Sequence, residues 1–332
     1  MSFCEQLKLK VINGYNVKKD EALRLFLEPS SELFKCANEI RKVFCGDEVH
    51  LCSIINGKSG KCSENCKYCA QSVHFKTNIK EYELLEYKNI LDVAKDNEKN
   101  GVNRFSIVTA GRGASNYEID KLSNYYRLLS EQCNISLCAS HGIIGKESLI
   151  KLKEAGVERY HHNIETSKNY YNKICTTHSF EDRIKTIKYA KEVGLEVCSG
   201  GIIGMGETIE DRIDMAIELR NLKIKSIPIN VLIPIDGTPF ESLNVLSEEE
   251  ILKTISIFRF INKDANIRLA AGRSTMKNNG ENAFNVGANA TITGNLLTTC
   301  GNKITDDLNM IYKIGLKVCK KNMKLEEIFN KK

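Results

Sequence analysis

The sequence predicts a closed α/β barrel of parallel strands. About eight short apolar runs alternate with longer stretches of helical periodicity. Glycines recur just after the helical stretches. No Pro- or Ser-rich linker divides the 332 residues, which include only 4 prolines. Alternation of this kind implies parallel strands joined by helical crossovers, and eight repeats favour closure over an open doubly wound sheet.

Residues 1–48 read as amphipathic helices, with Leu23, Phe26 and Leu27 on one face, then Leu33, Phe34, Ala37, Ile40 and Phe44 on another. Strands are expected over 49–55, 104–109, 135–140, 159–164, 195–199, 228–233, 267–271 and 290–293. Helices are expected over 81–100, 117–132, 146–155, 180–193, 208–222 and 247–262, with Gly101, Gly156 and Gly194 as C-caps. Residues 306–324 read as a closing helix with a polar end. The expected division is a helical extension (1–48), a barrel (49–320) and a polar tail (321–332).

The net charge is +6, with basic residues scattered among acids and 42% of residues hydrophobic. No basic stripe with interleaved aromatics suggests a nucleic-acid site. No stretch approaches the roughly 18–20 apolar residues that would span a bilayer. The opening residues, MSFCEQLKLK, mix acid and base and lack the apolar run of a secretory signal, so a cytoplasmic location is expected. There are 13 cysteines, an odd number. In a reducing compartment that points to metal or sulfur chemistry rather than to a disulfide framework. Cys4, Cys36, Cys45 and Cys319 read as ordinary small hydrophobes or surface thiols.

The strongest local signal is Cys62-Ser-Glu-Asn-Cys66-Lys-Tyr-Cys69, in a Gly/Lys/Ser-rich loop after the first strand. Three thiolates at spacings of four and three can hold a four-iron cubane and leave one iron without a protein ligand. A substrate-activating cluster needs that open iron, whereas electron-transfer clusters normally take four cysteines. Zinc is the competing reading. It would need a fourth ligand nearby, for which His74 is the candidate.

The CxxxCxxC spacing resembles the radical S-adenosylmethionine (SAM) superfamily. Further strings resemble the biotin synthase family within it: KYCAQS, HHNIETS at 161–167, VCSGGIIGMGET at 197–208, SIPINVLIPIDGTP at 226–239 and IRLAAGR at 267–273. The similarity runs in order from about residue 10 to about residue 320. The resemblance implies a (β/α)8 enzyme that inserts sulfur into dethiobiotin, the last step of biotin formation. It implies a 4Fe–4S cluster on Cys62, Cys66 and Cys69 that binds SAM and releases a deoxyadenosyl radical. It further implies an auxiliary cluster, 2Fe–2S in the family, on Cys138, Cys198 and Arg268, which donates the sulfur. An arginine ligand is chemically odd, because guanidinium stays protonated.

By the same resemblance Asn163 and Asn230 contact the substrate's ureido ring. Glu165, an aspartate in most relatives, meets the SAM ribose. Arg183 lies near the SAM carboxylate, and Tyr68 and Gly204 complete the cofactor site. The implied partners are dethiobiotin, SAM, an electron donor such as flavodoxin or ferredoxin, the cluster-assembly machinery and a second copy of the chain in a homodimer. Two other readings stand beside this one: a related barrel enzyme of the hydrogenase-maturation or methylornithine-forming type, and a non-catalytic iron–sulfur carrier.

One position departs from the family. The fourth auxiliary ligand is usually a cysteine at the end of the second strand, and here that position is Ser106, a poor partner for an iron–sulfur cluster. Cys175 and Cys300 lie in expected barrel loops and could supply the thiolate; Ser106 itself as the ligand and no fourth protein ligand are the remaining readings. Cys175 is the better placed, because its loop follows the Asn163/Glu165 strand end. The auxiliary cluster is therefore expected to differ in type or geometry from the usual form.

Overall fold

A computed structural model of the chain describes residues 1–297 and 301–319. Three helices come first: α1 (Phe3–Ile12), α2 (Lys19–Leu27) and α3 (Ser30–Cys45). The barrel strands are β1 (Glu48–Lys58), β2 (Arg104–Thr109), β3 (Ser136–Ser140), β4 (Val157–His161), β5 (Glu196–Cys198), β6 (Gly201–Ile203), β7 (Ser226–Val231), β8 (Asn266–Leu269) and β9 (Ala290–Thr293). Every pairing among them is parallel, and β9 returns to pair β1, so the barrel is closed. β5 and β6 both pair β7, so together they make one interrupted stave of an eight-stave barrel. The sixth, seventh and eighth expected strands are thus β7, β8 and β9.

The crossovers are α4 (Tyr87–Lys99), α5 (Asn116–Gln132), α6 (Lys146–Glu154), α7 (Tyr171–Ile174), α8 (Phe180–Glu192), α9 (Ile209–Asn221) and α10 (Glu248–Ile261). Local chemistry sets where they begin. Ser115/Glu118, Ser179/Asp182 and Thr208/Asp211 form reciprocal capping boxes at α5, α8 and α9, which satisfy otherwise orphaned N–H groups. Gly101, Gly156 and Gly194 follow α4, α6 and α8 with φ of +78°, +99° and +78°, the left-handed stop that lacks a Cβ penalty.

The expected helix over 81–100 begins later, at Tyr87, because the preceding segment pairs with the end of β1. Tyr82 and Ser59 exchange backbone hydrogen bonds of 3.0 and 3.1 Å, and Leu85 N–H donates to Gly57 O at 2.8 Å. The closing helix is also shorter than expected. α11 (Ile304–Lys313) ends before Gly315 (φ +78°), and a two-residue strand, β10 (Lys317–Val318), then pairs β1. The expected tail, 321–332, lies outside the described residues. No helix among the described residues is long and apolar enough to cross a membrane.

Candidate active site

In a strand, residues i and i+2 face the same side. That alternation aims one set of side chains into the barrel: Cys52 and Ile54 from β1, Arg104, Ser106 and Val108 from β2, Cys138 and Ser140 from β3, Arg159 and His161 from β4. Cys198, Asn230 and Arg268 join them from β5, β7 and β8. They line one cavity of about 340 Å³, which also reaches Tyr68 and Cys69 in the loop after β1. Catalytic groups of such barrels sit at the C-terminal ends of the strands, where that loop lies.

The Cys62–Cys69 loop is fixed by its own backbone. Cys62 N–H donates to Gln71 O and Val73 N–H to Cys62 O, each at 2.9 Å, and Gln71 Oε1 accepts from Gly60 N–H at 3.1 Å. A second segment clamps it from outside. Lys67 N–H donates to Ile174 O at 2.9 Å, and Asn65 Oδ1 accepts from Thr176 N–H at 2.9 Å. Burial raises the thiols of Cys62 and Cys69, the latter to about 11. Loading with metal must therefore release protons.

Cys175 lies in the clamp. Its Sγ is 3.6 Å from Cys66 Sγ and 3.3 Å from His178 Nδ1. The hydrogen bond between the two sulfurs raises the Cys66 thiol and lowers that of Cys175, with His178 adding to the second effect. The expectation that Cys175 joins Cys138 and Cys198 does not match this placement. The loop after β4 folds outward over the Cys62–Cys69 loop, so Cys175 is held beside Cys66 and takes no part in the cavity wall. Cys300 lies outside the described residues.

Asn163, Glu165 and Arg183 form one network. Asn163 Oδ1 accepts from Gly200 N–H at 3.0 Å, and Asn163 Nδ2 donates to Glu165 Oε2 at 3.2 Å. Arg183 pairs with Glu165 at 3.3 Å and donates to Asn163 O at 3.1 Å and to Tyr171 Oη at 2.6 Å. Asn163 and Glu165 line the cavity, whereas Arg183 supports them from behind. Glu165 adopts φ +69°, a rare conformation for this residue type that is held by the adjacent β6 backbone. Asn230 Oδ1 accepts from Ala271 N–H at 3.1 Å, and its Nδ2 donates to Gly201 O at 3.0 Å. Each asparagine thus keeps one amide N–H without a partner among the described residues.

Gly204, the expected cofactor contact, lies just beyond the residues that line the cavity. Its N–H donates to Glu207 Oε1 at 2.8 Å in a turn with φ +92°, and the neighbouring wall of the cavity is Ile202.

The inner end of the cavity is rich in thiols and guanidinium groups. Burial pushes Cys138 up to about 12, against the pull of Arg159 and Arg104. Burial also opposes ionisation of Cys198. Its hydrogen bond with His161, aided by Arg268 and Arg159, nevertheless brings that thiol down to about 6. Burial likewise works against the Arg159 charge, yet Cys138, Cys198 and Cys52 outweigh it and raise the Arg159 pKa. Arg268 donates through Nη1 to His50 O at 3.1 Å and Thr291 O at 3.0 Å, while its buried Nε finds no partner among the described residues. Ser106 Oγ is also buried and unpartnered among them. Thiols, cations and an orphaned donor around one space fit an anionic, sulfur-bearing group.

Sequence reasoning does not single out His161 or Cys52. His161 lies in the HHNIETS string, where the asparagine and the acid carry the resemblance. Cys52 is one of several residues in an expected strand, and only the inward parity it shares with Ile54 marks it.

A (β/α)8 barrel with three cysteines in the loop after its first strand defines the radical SAM class. Residues 58–219 match the Radical SAM superfamily model, and residues 228–317 match the Biotin and Thiamin Synthesis associated domain. The chain is 62% identical over 318 residues to a biotin synthase of Clostridium perfringens, covering 96% of this chain and 100% of that protein. It is 55% identical over 312 residues to one from Alkaliphilus metalliredigens, with 94% and 98% covered. The chain belongs to the biotin synthase family. Its fold is shared with a methylornithine synthase (TM-score 0.83, 20% identity, 95% of this chain and 97% of that one) and with an FeFe-hydrogenase maturase (0.82, 16%, 96% and 76%). At those identities the likeness concerns the fold alone. The hydrogenase-maturation and methylornithine alternatives are not favoured, and neither is the carrier reading.

Proposed function

We propose that this member converts dethiobiotin to biotin within the single cavity that joins the Cys62/Cys66/Cys69 loop to Cys138, Cys198 and Arg268. That continuity is the observation that carries the reading: both sulfur-rich sites open onto one space of about 340 Å³. When bound, the outer 4Fe–4S cluster with SAM supplies a deoxyadenosyl radical, and the inner auxiliary cluster supplies the sulfur.

The protein's own residues position the reactants and exclude water. The free N–H groups of Asn163 and Asn230 suit the carbonyl of a urea ring, because both amide oxygens are already engaged by backbone donors. The Glu165 carboxylate, braced by Arg183, faces the cavity as an acceptor suited to ribose hydroxyls. Tyr68 lines the outer end beside Cys69. Ile54, Val108, Ile202, Val231 and Ile292 supply apolar wall that shields a carbon radical from solvent. An electron donor of the flavodoxin or ferredoxin kind, cluster-assembly partners, a homodimer and a cytoplasmic location belong to the same reading.

The test is anaerobic incubation of the reconstituted protein with SAM, a reductant and dethiobiotin, followed by mass analysis. Biotin and deoxyadenosine are expected together. Deoxyadenosine without biotin would keep the class and remove the substrate assignment.

A further inference from the structure

We propose that Cys52 supplies the inner cluster with the thiolate that Ser106 cannot, so that the ligand set is Cys52, Cys138, Cys198 and Arg268. The inference rests on the two-cluster reading above and concerns which residues build its inner site.

The register places Cys52 there. β1 and β2 are neighbours, with Ser106 opposite Ile54 and Arg104 opposite Cys52. Two residues along a strand return to the same face, so Cys52 projects into the barrel from the adjoining stave, one inward position below the level of Ser106. Arg268 approaches from the other side. β9 lies between β8 and β1, with Ala290 opposite both Arg268 and His50. The Arg268 side chain reaches across β9 and donates to His50 O at 3.1 Å, next to the inward position that Cys52 occupies. The guanidinium and the Cys52 thiol therefore line the same side of the cavity, on staves separated by β9, with Cys138 and Cys198 on the staves beyond Ser106.

Chemistry favours the same choice. A serine hydroxyl is a hard, weakly acidic donor, whereas thiolates suit iron–sulfur clusters. Moving the third thiol from β2 to β1 restores a set of three cysteines and one arginine without Cys175, which the fold commits to the neighbourhood of Cys66. Arg104, Arg159 and Arg268 line the same cavity. Arg104 and Arg159 are paired with Glu158 and Glu196, which leaves Arg268 as the cation that faces the thiols without a carboxylate partner among the described residues.

The test isolates the inner site. The triple variant Cys62→Ala/Cys66→Ala/Cys69→Ala is reconstituted anaerobically, and iron, sulfide and the Mössbauer spectrum are measured. Cys52→Ala, Cys52→Ser, Ser106→Ala, Cys175→Ala and the exchange Cys52→Ser/Ser106→Cys are then added to it separately. Inner-site iron and sulfide should be lost with either Cys52 substitution, because the cluster is left with two protein thiolates. They should persist with Ser106→Ala and Cys175→Ala, and recover in the exchange variant. Circular dichroism of Cys52→Ser, which keeps the side-chain size, separates ligand loss from misfolding. Iron, sulfide and a spectrum unchanged by Cys52→Ala would overturn the assignment, as would loss of iron with Cys175→Ala instead. A triple variant that binds no iron at all would remove the inner site itself, and the proposal with it.

Discussion

Asn163 and Asn230 line the cavity, each with one amide N–H that has no partner among the described residues, because backbone and side-chain partners already engage the rest of each amide. Such preset donors recognise an acceptor with little reorganisation. Asn163→Ala or Asn230→Ala should weaken dethiobiotin binding by about 1–3 kcal/mol, roughly five- to 150-fold, the usual cost of leaving a buried polar group unpaired. Calorimetric titration beside iron analysis checks this. Cluster content should stay constant, and unchanged affinity in both variants would show that the pocket is misplaced. Cys62→Ala, Cys66→Ala and Cys69→Ala act on a different step. Each should abolish reductive SAM cleavage, read as deoxyadenosine production. The far-UV spectrum should be retained, because these residues sit in a loop pinned by its own hydrogen bonds and not in a barrel stave.

Among the strands and helices, the break between β5 and β6 is the feature on which the site depends. A Cβ on Gly200 would lie 1.9 Å from Pro228 O, and one on Gly201 would lie 2.3 Å from Glu165 O. These contacts are with backbone, so relief requires moving β7 or the Asn163–Glu165 segment. Gly200→Ala should cost at least about 3 kcal/mol, the upper range for overpacking. It should also displace Asn163, whose Oδ1 is held by Gly200 N–H. Denaturant unfolding measures the first effect and dethiobiotin affinity the second. A stability within error of wild type would contradict the geometry.

The closing helix offers a second test of how the elements are joined. Arg273 Nη2 and Nη1 donate to Asp307 Oδ1 and Oδ2 at 2.7 and 3.1 Å, and the aspartate is fully buried. Asp307→Ala would leave the buried Arg273 guanidinium without its counter-ion, with only neutral partners such as Asn279 O and Thr291 Oγ1, a loss of about 3–5 kcal/mol. Thermal unfolding should show it as a large drop in Tm.

For the molecule as a whole, buried histidines contribute to the response to acid, beside carboxylates such as Glu64, Glu118 and Glu196 that, despite burial, their hydrogen-bond and ion-pair partners hold below the usual range. Burial lowers the pKa of His141 from 6.5 to about 3 and that of His50 to about 4, and it holds His162 well below its usual range. Below pH 6.5 the unfolded chain takes up protons that the native chain excludes. Stability that is present above 6.5 is therefore lost as the pH falls towards 3. Each such group contributes at most about 1.4 kcal/mol per pH unit. Urea unfolding of the cluster-free protein across that window should show the decline, and His141→Gln should flatten it. An equally steep profile in the variant would exclude His141 as a cause. The His141 ring meets the hydroxyls of Thr109 and Tyr126, each at 3.0 Å. A glutamine amide in its place could address the same hydroxyls without titrating.

Much of this architecture is legible in the chain itself. Periodicity 2 and periodicity 3.6 are local properties, so the strand and helix order, the C-caps at Gly101, Gly156 and Gly194 and the three-cysteine loop can all be read directly. The exceptions have a common cause. The late start of α4, the β5/β6 interruption and the early end of α11 each depend on pairing with a distant strand, which no local window contains. The same holds within the site. Cys62, Cys66 and Cys69 are close in the chain, so spacing alone announces them. The inner site gathers side chains from separate staves, and its composition is decided by barrel register. Register turns Cys52 inward beside the reach of Arg268, and the clamp of the outer loop carries Cys175 away to Cys66. Local pattern and spacing were sufficient for the barrel, its order and its sulfur-rich character. Which cysteines share a cavity was settled by folding, because that depends on which faces of distant strands are brought together.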